Sequence, residues 1–371
     1  MTALIYSVFA IIAAVICVLG VPLNGLVCWV FYNNRELLNA PNIFIASVAF
    51  SDFLYCISCL PLLVISNAYG KWIYGPIGCK ATAFIATWSG LTSLMNLSVA
   101  SYERYSTLAF LCTKNRTFAK RTATCYSAAM WLYALFWSLM PLCGWSGFEL
   151  EGIGTSCSVR WKSKNMLDMS YNLCLIIACY VLPVSVLVTS YYKCYREIAK
   201  STWRAKSTWG RQSPFTKRTF VMERKMMALF GVMTVAFLVA WTPYAVVSLI
   251  SMIAGPDVIN DVTASIPAYF AKSSSCYNPV IYVFLYKRLR RQMRFAVRRD
   301  NCSSSRKGTS SDSTMAHHSE TKRLRSTIEL TDNYSTRNRP ENIWRNTWRR
   351  RRVLWNDTSY TPARQLSHLN A

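Results

Sequence analysis

Hydrophobic and polar positions divide the chain into seven long apolar stretches joined by short polar connections. They run from about Leu4 to Tyr32, Asn42 to Asn67, Ile77 to Leu108, Thr122 to Leu142, Ser170 to Tyr192, Met226 to Ile253 and Val258 to Leu285. About 20 helical residues cross the ~30 Å hydrocarbon layer of a bilayer, so each stretch is long enough to be a spanning helix. The first lacks a basic leader, exceeds the apolar length of a signal peptide and carries Asn24 in its interior, so it reads as a span. Past the seventh, Val283 to Phe295 is apolar on one face and basic on the other, the pattern of a short helix lying at the interface. Beyond Asp300 the chain turns to Ser, Thr, Asn and Arg without periodicity, which predicts a disordered tail. The expected fold is therefore an all-α membrane protein, a seven-transmembrane helix bundle with a short amphipathic eighth helix over 1–299, followed by a tail over 300–371.

Composition agrees, with 52% hydrophobic and 14% aromatic residues among 371. The net charge of +25 invites a nucleic-acid reading, but its distribution does not support one. Arg35, the set Lys114, Arg116, Lys120 and Arg121, the stretch Lys193 to Lys225, and Lys287 to Arg299 fall in alternate connections. Basic connections stay on the cytoplasmic side, which puts the amino terminus outside and the carboxyl terminus in the cytoplasm of a multi-pass membrane protein. That basic face suits anionic lipid and an acidic partner better than duplex DNA. Of fourteen cysteines, only Cys79, opening span three, and Cys157, in the connection after span four, are well placed to pair. The three histidines, His317, His318 and His368, all lie in the tail and offer no metal site.

Within the spans, polar residues carry the chemistry. Lys272 lies near the middle of span seven, too deep for its stem to reach either interface. A lysine there is either paired with a buried carboxylate, lines a pore, or serves as an amine nucleophile toward an aldehyde. Asn24 and Asp52 must find partners inside the bundle. Thr82, Ala86, Ser89, Gly90 and Ser93 recur at helical spacing and form either a close-packing face or a wall with room for a ligand.

The motifs around these residues resemble those of animal opsins. Phe270-Ala271-Lys272-Ser273 followed by Tyr277-Asn278-Pro279-Val280-Ile281-Tyr282 resembles their seventh span, with six residues between Lys272 and Pro279 as in that family. Asn24-Gly25-Leu26-Val27, Ser47 to Asp52, Glu103-Arg104-Tyr105, Pro183 and Trp241-Thr242-Pro243-Tyr244 match the other spans, with Ala240 where the family usually has Cys. The resemblance implies a light-sensing G-protein-coupled receptor, not an enzyme, that carries 11-cis-retinal on Lys272 as a Schiff base and converts it to all-trans in light. It assigns Trp241, Tyr244, Phe237 and Thr82 to the retinal site. Glu103, Arg104, Tyr105, Glu223, Asp52, Asn278, Pro279 and Tyr282 become the switch, with Arg104 pairing with Glu103 and, across the bundle, with Glu223. A heterotrimeric G protein is then the cytoplasmic partner, the tail serves arrestin and a receptor kinase, and Cys302 is a lipidation candidate. Tyr286-Lys287-Arg288 departs from the Asn-Lys-Gln of vertebrate visual pigments.

Those pigments also place a glutamate three residues after the cysteine of span three, where this chain has Thr82. Glu151, six residues before Cys157, stands where many invertebrate and non-visual opsins keep a distal counterion, and is expected to take that role in a bistable pigment. Glu149 and Asp168 read as solvated loop charges. A photoisomerase releasing 11-cis-retinal without signalling is the alternative, and the intact switch motifs weigh against it. A receptor for a diffusible amine is opposed by the mid-span lysine and by the lack of an acid in the inner part of span three.

Overall fold

The computed structural model describes residues 3–113, 119–209, 214–255, 258–286 and 289–294, with side chains described except at 110–113, 201–209 and 214–224. The tail from 300 on, Cys302 and the side chain of Glu223 lie outside the described residues.

Seven helical spans follow in order. Span one is Ala3–Asn33, span two Ala40–Ser58 continued as Leu60–Ala68, span three Gly75–Thr113, and span four Lys120–Leu139. Span five comprises Met166–Ile176, Ile177–Val181 and Leu182–Trp209, span six is Pro214–Ala254, and span seven comprises Asp261–Ser273, Ser274–Cys276 and Tyr277–Leu285. Among the described residues, spans one, two, three, five and six are by themselves long and apolar enough to cross a membrane. Span four is shorter and carries Lys120 and Arg121 in its first turn, and span seven is interrupted.

The interruptions follow from proline. A proline has no N–H, so the carbonyl four residues earlier loses its helical donor. In span five Pro183 follows a π-helical segment, Ile177–Val181. In span seven Pro279 deprives Ser275 of its donor, the backbone tightens into a 3-10 turn over Ser274–Cys276, and Asn24 Nδ2 of span one supplies the missing bond to the Ser275 carbonyl at 2.9 Å. That contact explains why an asparagine is tolerated, fully buried, in the middle of span one.

Between spans four and five, β1 (Phe148–Glu151) pairs antiparallel with β2 (Ser156–Val159), Glu151 opposite Ser156. Cys79 and Cys157 form the expected disulfide, which pins this hairpin to the start of span three. The turn is pressed onto span seven at Gly152 (φ 56°), where a Cβ would stand 2.1 Å from Ser265 Oγ, so glycine is required there. At the end of the bundle away from the hairpin, residues 289–294 form a helical turn whose Leu289 and Met293 are buried in a core shared with Val27, Phe44, Leu97 and Tyr282, while Arg291 and Arg294 are exposed. This is the apolar and basic division expected of the eighth helix.

Candidate functional site

Lys272 Nζ lies 2.9 Å from Glu151 Oε2, across 121 residues of sequence, with the two side chains 16% and 10% exposed. Span seven supplies the lysine and the last residue of β1 supplies the carboxylate, so the disulfide-anchored hairpin is what brings them together. Tyr244 Oη of span six donates to Glu151 Oε1 at 2.6 Å, Ser156 Oγ donates to Oε2 at 3.2 Å, and Trp161 Nε1 donates to Tyr244 Oη at 2.9 Å. Burial pushes the Glu151 carboxyl up, but the Lys272 ammonium and the donors around it outweigh that and hold it below its ordinary range. Glu149, two residues earlier on the same strand, is different. Its side chain is 41% exposed, its nearest cation is Arg160 at 3.8 Å, and partial burial leaves its carboxyl raised.

The pair sits on a cavity of about 170 Å³ lined mainly by apolar atoms. Phe237 and Trp241, stacked with ring centroids 5.4 Å apart, line it together with Ala86 and Gly90 of span three. A Cβ on Gly90 would come within 3.0 Å of Trp241, so the glycine lets the indole lie against span three. A largely apolar space that holds an amine beside a carboxylate fits an apolar aldehyde, with Lys272 as the residue that would hold it. Five of the six residues expected at the retinal site, Lys272, Glu151, Trp241, Tyr244 and Phe237, line this cavity. Thr82 does not. Its hydroxyl is turned back onto span three, donating to the Gly78 and Cys79 carbonyls at 2.8 and 3.1 Å.

The residues expected to switch form two separate groups. Asp52 accepts from Ser93 Oγ and from Asn278 Nδ2, each at 2.9 Å, tying spans two, three and seven together. Asn24 reaches the Ser275 carbonyl instead of this carboxylate. Tyr282 is fully buried below it, and its hydroxyl has no hydrogen-bond partner among the described residues. At the far end of span three, Arg104 Nε donates to Glu103 Oε2 at 2.6 Å, and Thr107 Oγ1 donates to Glu103 Oε1 at 2.9 Å. Tyr105 lies under the ammonium of Lys193, 5.3 Å from it.

Asp168 is not the solvated loop charge expected of it. It is 4% exposed in the first turn of span five, accepts from Ser163 Oγ at 2.5 Å, and gains from the positive end of the helix; the span begins at Met166 behind the N-cap Asn165, four residues before the Ser170 start expected from the apolar run. Trp161, Ser156, Asn67, Thr155 and Tyr269 belong to the surroundings of the ion pair and carried no motif. Except for Ser156, which meets Glu151 five residues away, their partners are far away in sequence.

Residues 23–282 match the family described as 7 transmembrane receptor (rhodopsin family). Melanopsin-A of Gadus morhua is 32% identical over 76% of this chain and 51% of its own length, so the chain spans about half of that relative. The G0-coupled rhodopsin of Mizuhopecten yessoensis is 32% identical over 75% of this chain and 69% of its own length. The crystal structure of squid rhodopsin superposes with a TM-score of 0.74 at 26% identity, covering 79% of this chain and 85% of that one. The chain belongs to the rhodopsin family of seven-transmembrane receptors, as an animal opsin, and is a multi-pass membrane protein.

Proposed function

We propose that the chain is a light-sensing receptor that carries 11-cis-retinal on Lys272, uses Glu151 as the counterion of the linkage, and activates a heterotrimeric G protein when light produces the all-trans form. The observation that carries this reading is the 2.9 Å contact between Lys272 and Glu151 in a cavity lined mainly by apolar atoms. When bound, retinal supplies a polyene that changes shape on absorbing light. The protein's own residues do the rest. Glu151 neutralises the positive nitrogen, and Tyr244 and Ser156 hold the carboxylate toward it. Phe237 and Trp241 fill the wall against which a change of ligand shape would press, and the Trp241 indole, donating to Ser274 Oγ at 3.0 Å, links that wall to span seven.

At the other end Glu103 holds Arg104, and Glu223 is its proposed second partner across the bundle. Release of Arg104 opens the cytoplasmic face, the amino terminus being outside. This buried pair supports signalling over a photoisomerase that merely releases 11-cis-retinal. Residues 300–371 form the proposed tail for arrestin and a receptor kinase, with Cys302 as the lipid-bearing cysteine. The names of the relatives, melanopsin and rhodopsin, support the same function.

The test is expression with 11-cis-retinal, with spectra recorded in the dark and after illumination. Borohydride reduction is expected to fix the retinyl group on the peptide containing Lys272, and Lys272→Ala to abolish visible absorbance. A label on another lysine would sink the assignment.

A further inference from the structure

We infer that Tyr269 is a positioning residue for the charged nitrogen of Lys272 and is itself held by Asn67 and Thr155. In its pigment arm alone, the inference rests on the retinal reading above. Tyr269 lies three residues before Lys272, on the same face of the helix, and its ring centroid is 5.3 Å from Nζ. At that distance the negative face of the ring attracts an ammonium. The nitrogen therefore meets two partners, the Glu151 carboxylate at 2.9 Å and the π face of Tyr269.

Two residues hold the ring, and a third holds one of them. Asn67 Nδ2 of span two donates to Tyr269 Oη at 2.6 Å and to the Leu63 carbonyl at 2.7 Å. Thr155 Oγ1, in the hairpin turn, donates to Asn67 Oδ1 at 2.9 Å. Phe9 of span one packs on the ring with centroids 4.4 Å apart. Asn67 and Thr155 are fully buried, so each hydrogen bond in this chain replaces one that water would otherwise make. Every polar atom of the Asn67 side chain is engaged, and breaking one link leaves its partner uncompensated. The chain runs from the hairpin through span two to span seven and ends under Lys272. The lysine thus has a second support besides the carboxylate it faces.

The titratable groups around Lys272 are Glu151 on the hairpin, Tyr244 on span six behind it, Cys59 on span two, and Tyr269 itself; Asp52 lines the same cavity further along. Removing the ring leaves Glu151 in place, so the expected effect is a shift in the titration of the nitrogen and not a loss of the site.

The experiment begins with the retinal-free protein. Reductive methylation with formaldehyde and cyanoborohydride is run across a pH series, and modification of Lys272 is read by peptide mass spectrometry. Tyr269→Leu loses the ring's support of the ammonium, so half-modification is expected at a pH lower by roughly one unit. Tyr269→Phe keeps the ring, drops the hydroxyl and is expected to titrate close to the parent. Asn67→Ala, which frees the ring without removing it, is expected to fall between the two. The same order is expected for the pH at which pigment formed with 11-cis-retinal passes from visible to ultraviolet absorption. If Tyr269→Leu does not fold, Tyr269→Met, of similar bulk, takes its place. A leucine or methionine variant that titrates like the parent overturns the inference, as does Tyr269→Phe shifting as far as Tyr269→Leu. A parent chain that forms no pigment while the methylation order holds overturns the retinal reading and leaves the role of Tyr269 standing.

Discussion

Two buried acid–base pairs stand out among the described residues, and they are built in opposite ways. Glu103 and Arg104 are neighbours in sequence, on one helix, and Thr107 one turn later completes the acceptor's shell. Lys272 and Glu151 are separated by 121 residues and meet only because a hairpin is folded over the bundle and tied to span three. The first pair lies wholly within span three. The second is a tertiary contact whose geometry depends on the hairpin, the disulfide and the spans around it. A local pair can change partners without disturbing the fold, which suits a switch, whereas a long-range pair reports on the closure of the whole hairpin end, which suits a binding site.

Breaking the long-range pair should have the largest effect. Glu151→Gln removes the anion beside the positive nitrogen, and the dark pigment is expected to move from visible to ultraviolet absorption near neutral pH, with its titration displaced to lower pH. Glu149→Gln should titrate like the parent, because its carboxylate faces Arg160; a drop in that variant instead would move the counterion. Next comes the tether. Cys79→Ser removes a disulfide, a change that costs roughly 2–5 kcal/mol in small domains, so thermal denaturation of the retinal-free protein should come at clearly lower temperature. Retention of the parent's denaturation temperature would mean that the hydrogen bonds of the turn alone hold the hairpin down.

The local pair should give a smaller, functional effect. Glu103→Gln weakens the charge-assisted bonds to Arg104 and is expected to raise dark nucleotide exchange on a cognate G protein several-fold while leaving the dark spectrum unchanged. A shifted spectrum would show that the two ends are not separable in this way. The smallest expected effect is on pH-dependent stability. The Glu151 carboxyl is held below its ordinary value of 4.5, so its contribution is present above that pH and is lost as pH falls through the depressed value. In acid, the stability of the parent and of Glu151→Gln should therefore converge, as followed by thermal scans of the retinal-free protein from pH 6 downward to about pH 3.

The seven spans were legible because a membrane helix needs little more than an uninterrupted apolar run, and hydropathy records that directly. Lys272, Trp241, Asp52 and Asn278 were legible because they are polar or bulky residues inside apolar spans and stand in motifs that resemble those of animal opsins. Glu151 could be singled out because the resemblance to opsins with a distal counterion points to the position six residues before Cys157. What could not be read were contacts without such an anchor. Trp161 meets Tyr244 across 83 residues, Thr155 meets Asn67 across 88, and Asn67 meets Tyr269 across 202. None of these residues is unusual where it stands, and their roles arise only from packing. Thr82 shows the converse, since its place in a polar stripe pointed toward the ligand while its nearest acceptors were carbonyls of its own helix.

The 3-10 turn at Ser274–Cys276 makes span seven two rods and a joint. The upper rod carries Lys272, and the lower carries Asn278 and Tyr282. Because Pro279 withholds a donor, the link across the joint is borrowed from elsewhere: span one grips it through Asn24 and span six through Trp241. A torque on the upper rod is thus passed to the lower one through two side chains on neighbouring helices as well as along the backbone. The angle between the rods becomes a quantity that three helices set jointly, and a residue in span one, far from both ends of the molecule, acquires leverage over each.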